Sequence, residues 1–81
     1  MEQKQTITLV VKNHPGVLLR ITGLFTRRGF NIDSLTAFPD EKKEFTTMTI
    51  TTYGDDATAK QIIRQVNKVQ EVVASDLKAG E

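Results

Sequence analysis

With 81 residues, no cysteine and a net charge of +1 (11 Lys plus Arg against 10 Asp plus Glu), the chain reads as one domain without disulfides or thiolate metal sites. It has no global field to draw in a polyanion and no apolar stretch long enough for a signal peptide or a membrane span, so a cytoplasmic protein with neither a nucleic-acid nor a membrane partner is expected. Only 38% of residues are hydrophobic, and a chain this short buries about 60% of the surface its unfolded form exposes, so the core is thin and a dimer or higher oligomer is expected.

Residues 1–5 are polar and are expected to fray. From Thr6 to Lys12 polar and apolar residues alternate, placing Ile7, Leu9 and Val11 on one face of a half-buried strand. Asn13-His14-Pro15-Gly16 then forms a turn into a helix. Pro15 fixes its own φ, holds His14 out of the helical region and suits the first helical position. Gly16 has no side chain, so the amides of Gly16, Val17 and Leu18 would lack helical partners and face a space that a small ligand could approach. Two readings follow from these residues: an ordinary strand-to-helix turn, which is the commoner case, or an anion site.

Val17, Leu18, Ile21, Leu24 and Phe25 recur at helical spacing, and Gly29 stops the pattern, predicting a helix from about Pro15 to Arg28. Its other side carries Leu19, Thr22, Gly23 and Thr26, a narrow strip that either packs closely against a neighbouring subunit or simply tolerates an exposed Gly. Phe30–Phe38 reads as a second strand with an irregularity near Ser34, and Pro39-Asp40-Glu41-Lys42 as a turn. Phe45–Tyr53 is a Thr-rich third strand, with Met48 and Ile50 inward and Thr47, Thr49 and Thr51 on a wet or lightly covered face. Gly54-Asp55-Asp56 offers an N-cap to a second helix, about Ala57 to Val69, with Ala59, Ile62, Ile63, Val66 and Val69 as its apolar stripe. A last strand takes in Val72 to Leu77, and Ala79-Gly80-Glu81 is a tail.

The order strand, helix, strand, strand, helix, strand, with right-handed crossovers, predicts an α+β fold: a two-layer α/β sandwich of ferredoxin-like βαββαβ topology, with two helices on one face of an antiparallel four-stranded sheet. Catalysis has little support, since the single histidine, His14, has no cysteine to serve and Ser34 and Ser75 lie in predicted strands. Asp55-Asp56 is better explained as a helix cap than as a metal site, because no further ligands stand at metal spacing. An acylphosphatase-like site needs an arginine in the first loop, and none is there. The third strand lacks the basic-glycine-aromatic signature of RNA-recognition domains, and Lys60, Arg64 and Lys68 read better as a solvated helix face than as a phosphate contact.

The run Asn13-x-x-Gly16-x-Leu18-x-Arg20-Ile21-x-Gly23-Leu24-Phe25-x-x-Arg28-Gly29-Phe30-Asn31-Ile32-x-Ser34-Leu35, continued by Met48-Thr49-Ile50, resembles the ACT domain of the acetolactate synthase (acetohydroxyacid synthase) small regulatory subunit. The resemblance implies a single ACT domain over 1–81, core about 5–78, without catalytic residues or cofactors of its own. It implies a homodimer or higher oligomer that binds a branched-chain amino acid, most often valine, between protomers and modulates a separate catalytic large subunit. Thiamine diphosphate, flavin and magnesium would belong to that partner. Asn13 and Gly16, with His14, Pro15, Val17 and Leu18 around them, would form the first-loop side of the effector site. Asn31 would reach the ligand from the other protomer, and Ile32 would shape its apolar wall. Two alternatives stand beside this: a non-sensing structural or activating subunit, and an ACT-domain amino acid sensor of another pathway.

Overall fold

A computed structural model describes residues 2–80. Six elements follow one another: β1 (Gln3–Lys12), α1 (Val17–Arg27), β2 (Ile32–Pro39), β3 (Phe45–Gly54), α2 (Asp56–Val66) and β4 (Val72–Ala79). The strands form one antiparallel sheet in the order β2-β3-β1-β4, as the ferredoxin-like reading requires. The central pair is in continuous register from Gln3 opposite Gly54 to Lys12 opposite Phe45.

The core lies between sheet and helices. Ile7, Leu9 and Val11 of β1 and Met48 and Ile50 of β3 meet Val17, Ile21 and Phe25 of α1 and Ala59, Ile62 and Val66 of α2, all buried. Leu18 does not join them: it is 42% exposed, against the expectation that it belongs to the apolar stripe. Positions 17, 21 and 25 recur every four residues on one line of the helix, and the residue after Val17 is turned about 100° away from that line. The opposite face of the sheet carries the exposed or half-buried Thr47, Thr49 and Thr51, as the alternation predicts.

The chain's local signals act as they read, with shifted boundaries. α1 ends with Arg28 as its cap and Gly29 at φ +78. The Phe30 amide donates to the Phe25 carbonyl at 2.9 Å and the Gly29 amide to that of Thr26 at 3.1 Å, the paired bonds of a Schellman motif. Its accompanying apolar contact is present too, since the rings of Phe25 and Phe30 meet edge to face with centroids 6.3 Å apart. The irregularity near Ser34 is a register shift between Ile32 and Ser34 that leaves Asp33 unpaired. Asp55 caps α2, accepting from the Thr58 amide at 2.7 Å.

Three expectations need correction. Residues 3–5 are strand, not a frayed end: Gln5 is fully buried, and its Nε2 donates to the Gly54 carbonyl and to Asp56 Oδ1. Met1, also expected to fray, lies outside the described residues, as does Glu81 of the expected tail. The rest of that tail is not loose, because Ala79 pairs with Gln5 and the Gly80 amide donates to the Lys4 carbonyl at 2.7 Å. α2 stops at Val66 rather than Val69, its chain tightening into bonds from the Lys68 amide to Gln65 and from the Val69 amide to Val66. Among the described residues no helix is long and apolar enough to cross a membrane.

Candidate functional site

The loop from β1 to α1 is built by the turn expected at Asn13–Gly16, and the structure gives its type. Gly16 adopts φ +82 and ψ −7, and the Val17 amide donates to the His14 carbonyl at 3.3 Å. Those are the angles and the bond of a type II turn with Pro15 and Gly16 at its centre, where the third position needs positive φ. Pro15 is therefore not the first helical residue. Gly16 is the N-cap and Val17 the first helical position.

This changes the supply of free donors. The Val17 amide is engaged with His14, and its side chain is core, so Val17 contributes to the loop through the turn alone. The amides of Gly16 and Leu18 have no hydrogen-bond partner among the described residues. Among the described residues no side chain caps this end of α1, and no acidic residue stands in its first turn. The space above Gly16 is open, with nothing among the described residues, its chain neighbours aside, within 4 Å of where a Cβ would stand. Arg20, one turn further on, is held to Glu71 by an ion pair of 2.7 Å.

Asn13 is more constrained than its place in a turn suggested. Its amide donates to the Glu44 carbonyl at 2.9 Å, its Nδ2 donates to the Lys43 carbonyl at 2.9 Å, and its Oδ1 accepts from Thr46 Oγ1 at 3.1 Å. The β2–β3 hairpin is thereby bolted to the β1–α1 loop. Within the hairpin, Asp40 Oδ1 accepts from the Glu44 amide, and Lys43 stands at φ +59. An open cleft of about 380 Å³ lies between loop and hairpin, lined by Lys12, Asn13, His14, Lys43, Glu44 and Phe45. Thr46 is 5% exposed, and its signal in the sequence is its parity: it falls on the same side of β3 as Met48 and Ile50.

Asn31 and Ile32 are elsewhere. Asn31 sits between the Schellman turn and β2, its carbonyl accepting a short hydrogen bond from the buried Thr52 hydroxyl. It borders a second cleft, of about 230 Å³, together with Arg28, Phe30, Tyr53, Asp55 and Thr58. Ile32 is half-buried and packs on the core. Asn31 and Asn13 thus hang on opposite ends of β3, one at Thr52 and the other at Thr46; six residue steps along the strand separate those anchors by about 20 Å. A single chain brings Asn13, His14, Pro15, Gly16 and Leu18 together and leaves Asn31 and Ile32 far from them.

The apolar side chains left outside the core include Leu18 and Leu35, at 42% and 40% exposure, and Leu19, at 78%. Among the described residues outside its own stretch of helix, nothing lies within 4 Å of where a Cβ on Gly23 would stand, so that point of the small-residue strip of α1 has open space above it. Among the described residues no three His, Asp or Glu side chains converge as a metal site would require.

Comparison with known proteins agrees with this frame. The AHAS small subunit-like ACT domain matches residues 7–74. A probable acetolactate synthase small subunit of Archaeoglobus fulgidus is 50% identical over 70 residues, which are 86% of this chain and 44% of that protein. The crystal structure of the acetolactate synthase small subunit of Thermotoga maritima superposes with a TM-score of 0.83 at 37% identity, over 93% of this chain and 47% of that one. The ACT domain of a Chlorobium tepidum GTP pyrophosphokinase reaches the same TM-score at 16% identity, over 96% of this chain and all of that domain, a likeness of fold alone. The chain spans less than half the length of the small subunits it matches here. With the matched stretch running from β1 into β4, and so through both the Asn13–Gly16 loop and the Asn31 turn, the chain belongs to the family of ACT domains found in acetolactate synthase small subunits.

Proposed function

We propose that this chain is an effector-binding module of an acetolactate synthase small subunit. It takes a branched-chain amino acid such as valine between two copies of itself and modulates a separate catalytic subunit, performing no chemistry of its own. The observation that carries this reading is the separation of Asn13 and Gly16 from Asn31 along β3. β2 is an edge strand, and pairing two β2 edges antiparallel about a twofold axis sets the start of one β2 beside the end of the other. Asn31 of one protomer then approaches the hairpin end of its partner, where the Asn13–Gly16 loop stands. Such pairing would also give the exposed Leu18, Leu19 and Leu35 a neighbour.

The loop suits a free amino acid. The unengaged Gly16 and Leu18 amides at the start of α1 favour a carboxylate, carboxamide oxygens accept from an ammonium group, and apolar residues such as Ile32 form a recess for a small aliphatic side chain. Thiamine diphosphate, flavin and magnesium belong, in this reading, to the catalytic partner. Calorimetric titration with L-valine, L-leucine and L-isoleucine tests it: saturable heat with one of them, at one site per protomer in a dimer, is expected. Silence with all three would replace it with a non-sensing structural or activating subunit.

A further inference from the structure

We propose that Thr46 is a positioning residue for effector binding, a role that rests on the reading of the Asn13–Gly16 loop as the effector site. The Asn13 carboxamide is exposed, yet it is tethered at both ends: Nδ2 gives one of its two hydrogens to the Lys43 carbonyl, and Oδ1 gives one of its two lone pairs to the Thr46 hydroxyl. One N–H and one lone pair are left over. They stand on a single rigid group and have the polarity that an amino acid zwitterion needs, the N–H for its carboxylate and the lone pair for its ammonium. The Lys43 carbonyl only accepts, so it forbids the flipped carboxamide. Thr46 fixes the second end, from a nearly buried position on β3.

Without the Thr46 hydroxyl, Asn13 keeps one tether and must be ordered by the ligand. Ordering one such side chain weakens binding by about three- to tenfold. Thr46→Val removes the hydroxyl and keeps the β-branched shape; Thr46→Ser keeps the hydroxyl and removes the methyl. The wild-type chain of 81 residues and both variants are titrated calorimetrically with L-valine, L-leucine and L-isoleucine, with melting temperatures recorded in parallel. The expected result is affinity about three- to tenfold lower in Thr46→Val and within about twofold of wild type in Thr46→Ser, with both variants folded. Should Thr46→Val fail to fold, Thr46→Ala takes its place in the comparison with Thr46→Ser. Wild-type affinity in Thr46→Val overturns the positioning role and leaves the effector site standing. Equal losses in Thr46→Val and Thr46→Ser also overturn it, by assigning the effect to packing. A wild-type protein that gives no heat with any of the three overturns the effector reading and this role together.

Discussion

Gln5 is fully buried at the start of β1, and its Nε2 donates to Asp56 Oδ1 in the first turn of α2 at 3.0 Å, across a sequence gap of 51 residues. The same nitrogen reaches the Gly54 carbonyl at 3.1 Å, while Oε1 has no partner among the described residues. One amide therefore ties the first strand to the junction of β3 and α2, using donors alone.

Gln5→Glu reverses that chemistry at almost constant shape, setting a buried carboxylate against two acceptors. We expect a loss of about 3 kcal/mol or more at neutral pH, a large share of the stability of a domain this size. Folding would hold the introduced carboxyl neutral, raising its pKa above the unfolded value of about 4.3. The loss is then full above the raised folded pKa and fades as pH falls towards the unfolded one. Urea unfolding at neutral and mildly acidic pH checks both claims, and a variant as stable as wild type at neutral pH would contradict the burial argument.

Asp55 and Asp56 give the opposite sign in the wild-type protein. Hydrogen bonds from the Thr58 hydroxyl and amide hold the Asp55 carboxyl below its ordinary value, and those from Gln5 and Gln3 do the same for Asp56. A depressed folded pKa contributes stability that is complete above the unfolded value, about 3.9, and is lost as pH falls through the folded one. The protein should therefore weaken below about pH 4, and Asp55→Asn, which keeps a capping oxygen, should retain neutral-pH stability with a shallower acid limb. The urea midpoint followed from about pH 6 down to pH 2 measures this; an unchanged slope in Asp55→Asn would assign the acid limb elsewhere.

Gly16→Asp separates fold from binding. A side chain at φ +82 costs about 1–2 kcal/mol, less for Asp than for most residues because its short polar chain tolerates the left-handed region. The variant should melt slightly lower and show no thermal shift with valine, leucine or isoleucine, because its carboxylate stands where the ligand's would.

Mixing Gly16→Asp with Asn31→Ala tests the shared pocket. Each mixed dimer would join the intact loop of one chain to the intact Asn31 of the other, rebuilding one site of two. Random exchange should restore about a quarter of the wild-type binding stoichiometry. A mixture as silent as its parents would place the whole site within one chain.

Much of the fold is legible in the sequence because its signals are local. The alternation of Ile7, Leu9 and Val11, the Gly29 stop, the Asp55 cap and the broken pattern near Ser34 each act through neighbours a few residues away, so type and order of the elements follow from the chain. The type II turn at Pro15-Gly16 is legible in composition, yet the same residues suit a helix start, since Pro serves both and only the positive φ of Gly16 distinguishes them.

What the tertiary structure decided is where polar groups find partners and which residues share an end of the sheet. Gln5 and Thr46 share the parity of the apolar positions in their strands, but only the tertiary structure sets them opposite Thr52 and Val11 and runs their hydrogen bonds to Asp56 and Asn13. Asn13 and Asn31 sit 18 positions apart in the sequence, and nothing local says that β3 holds them at its two ends. Periodicity fixes which face of an element is apolar; it carries no record of the antiparallel register between strands far apart in the chain, and that register alone sets these distances.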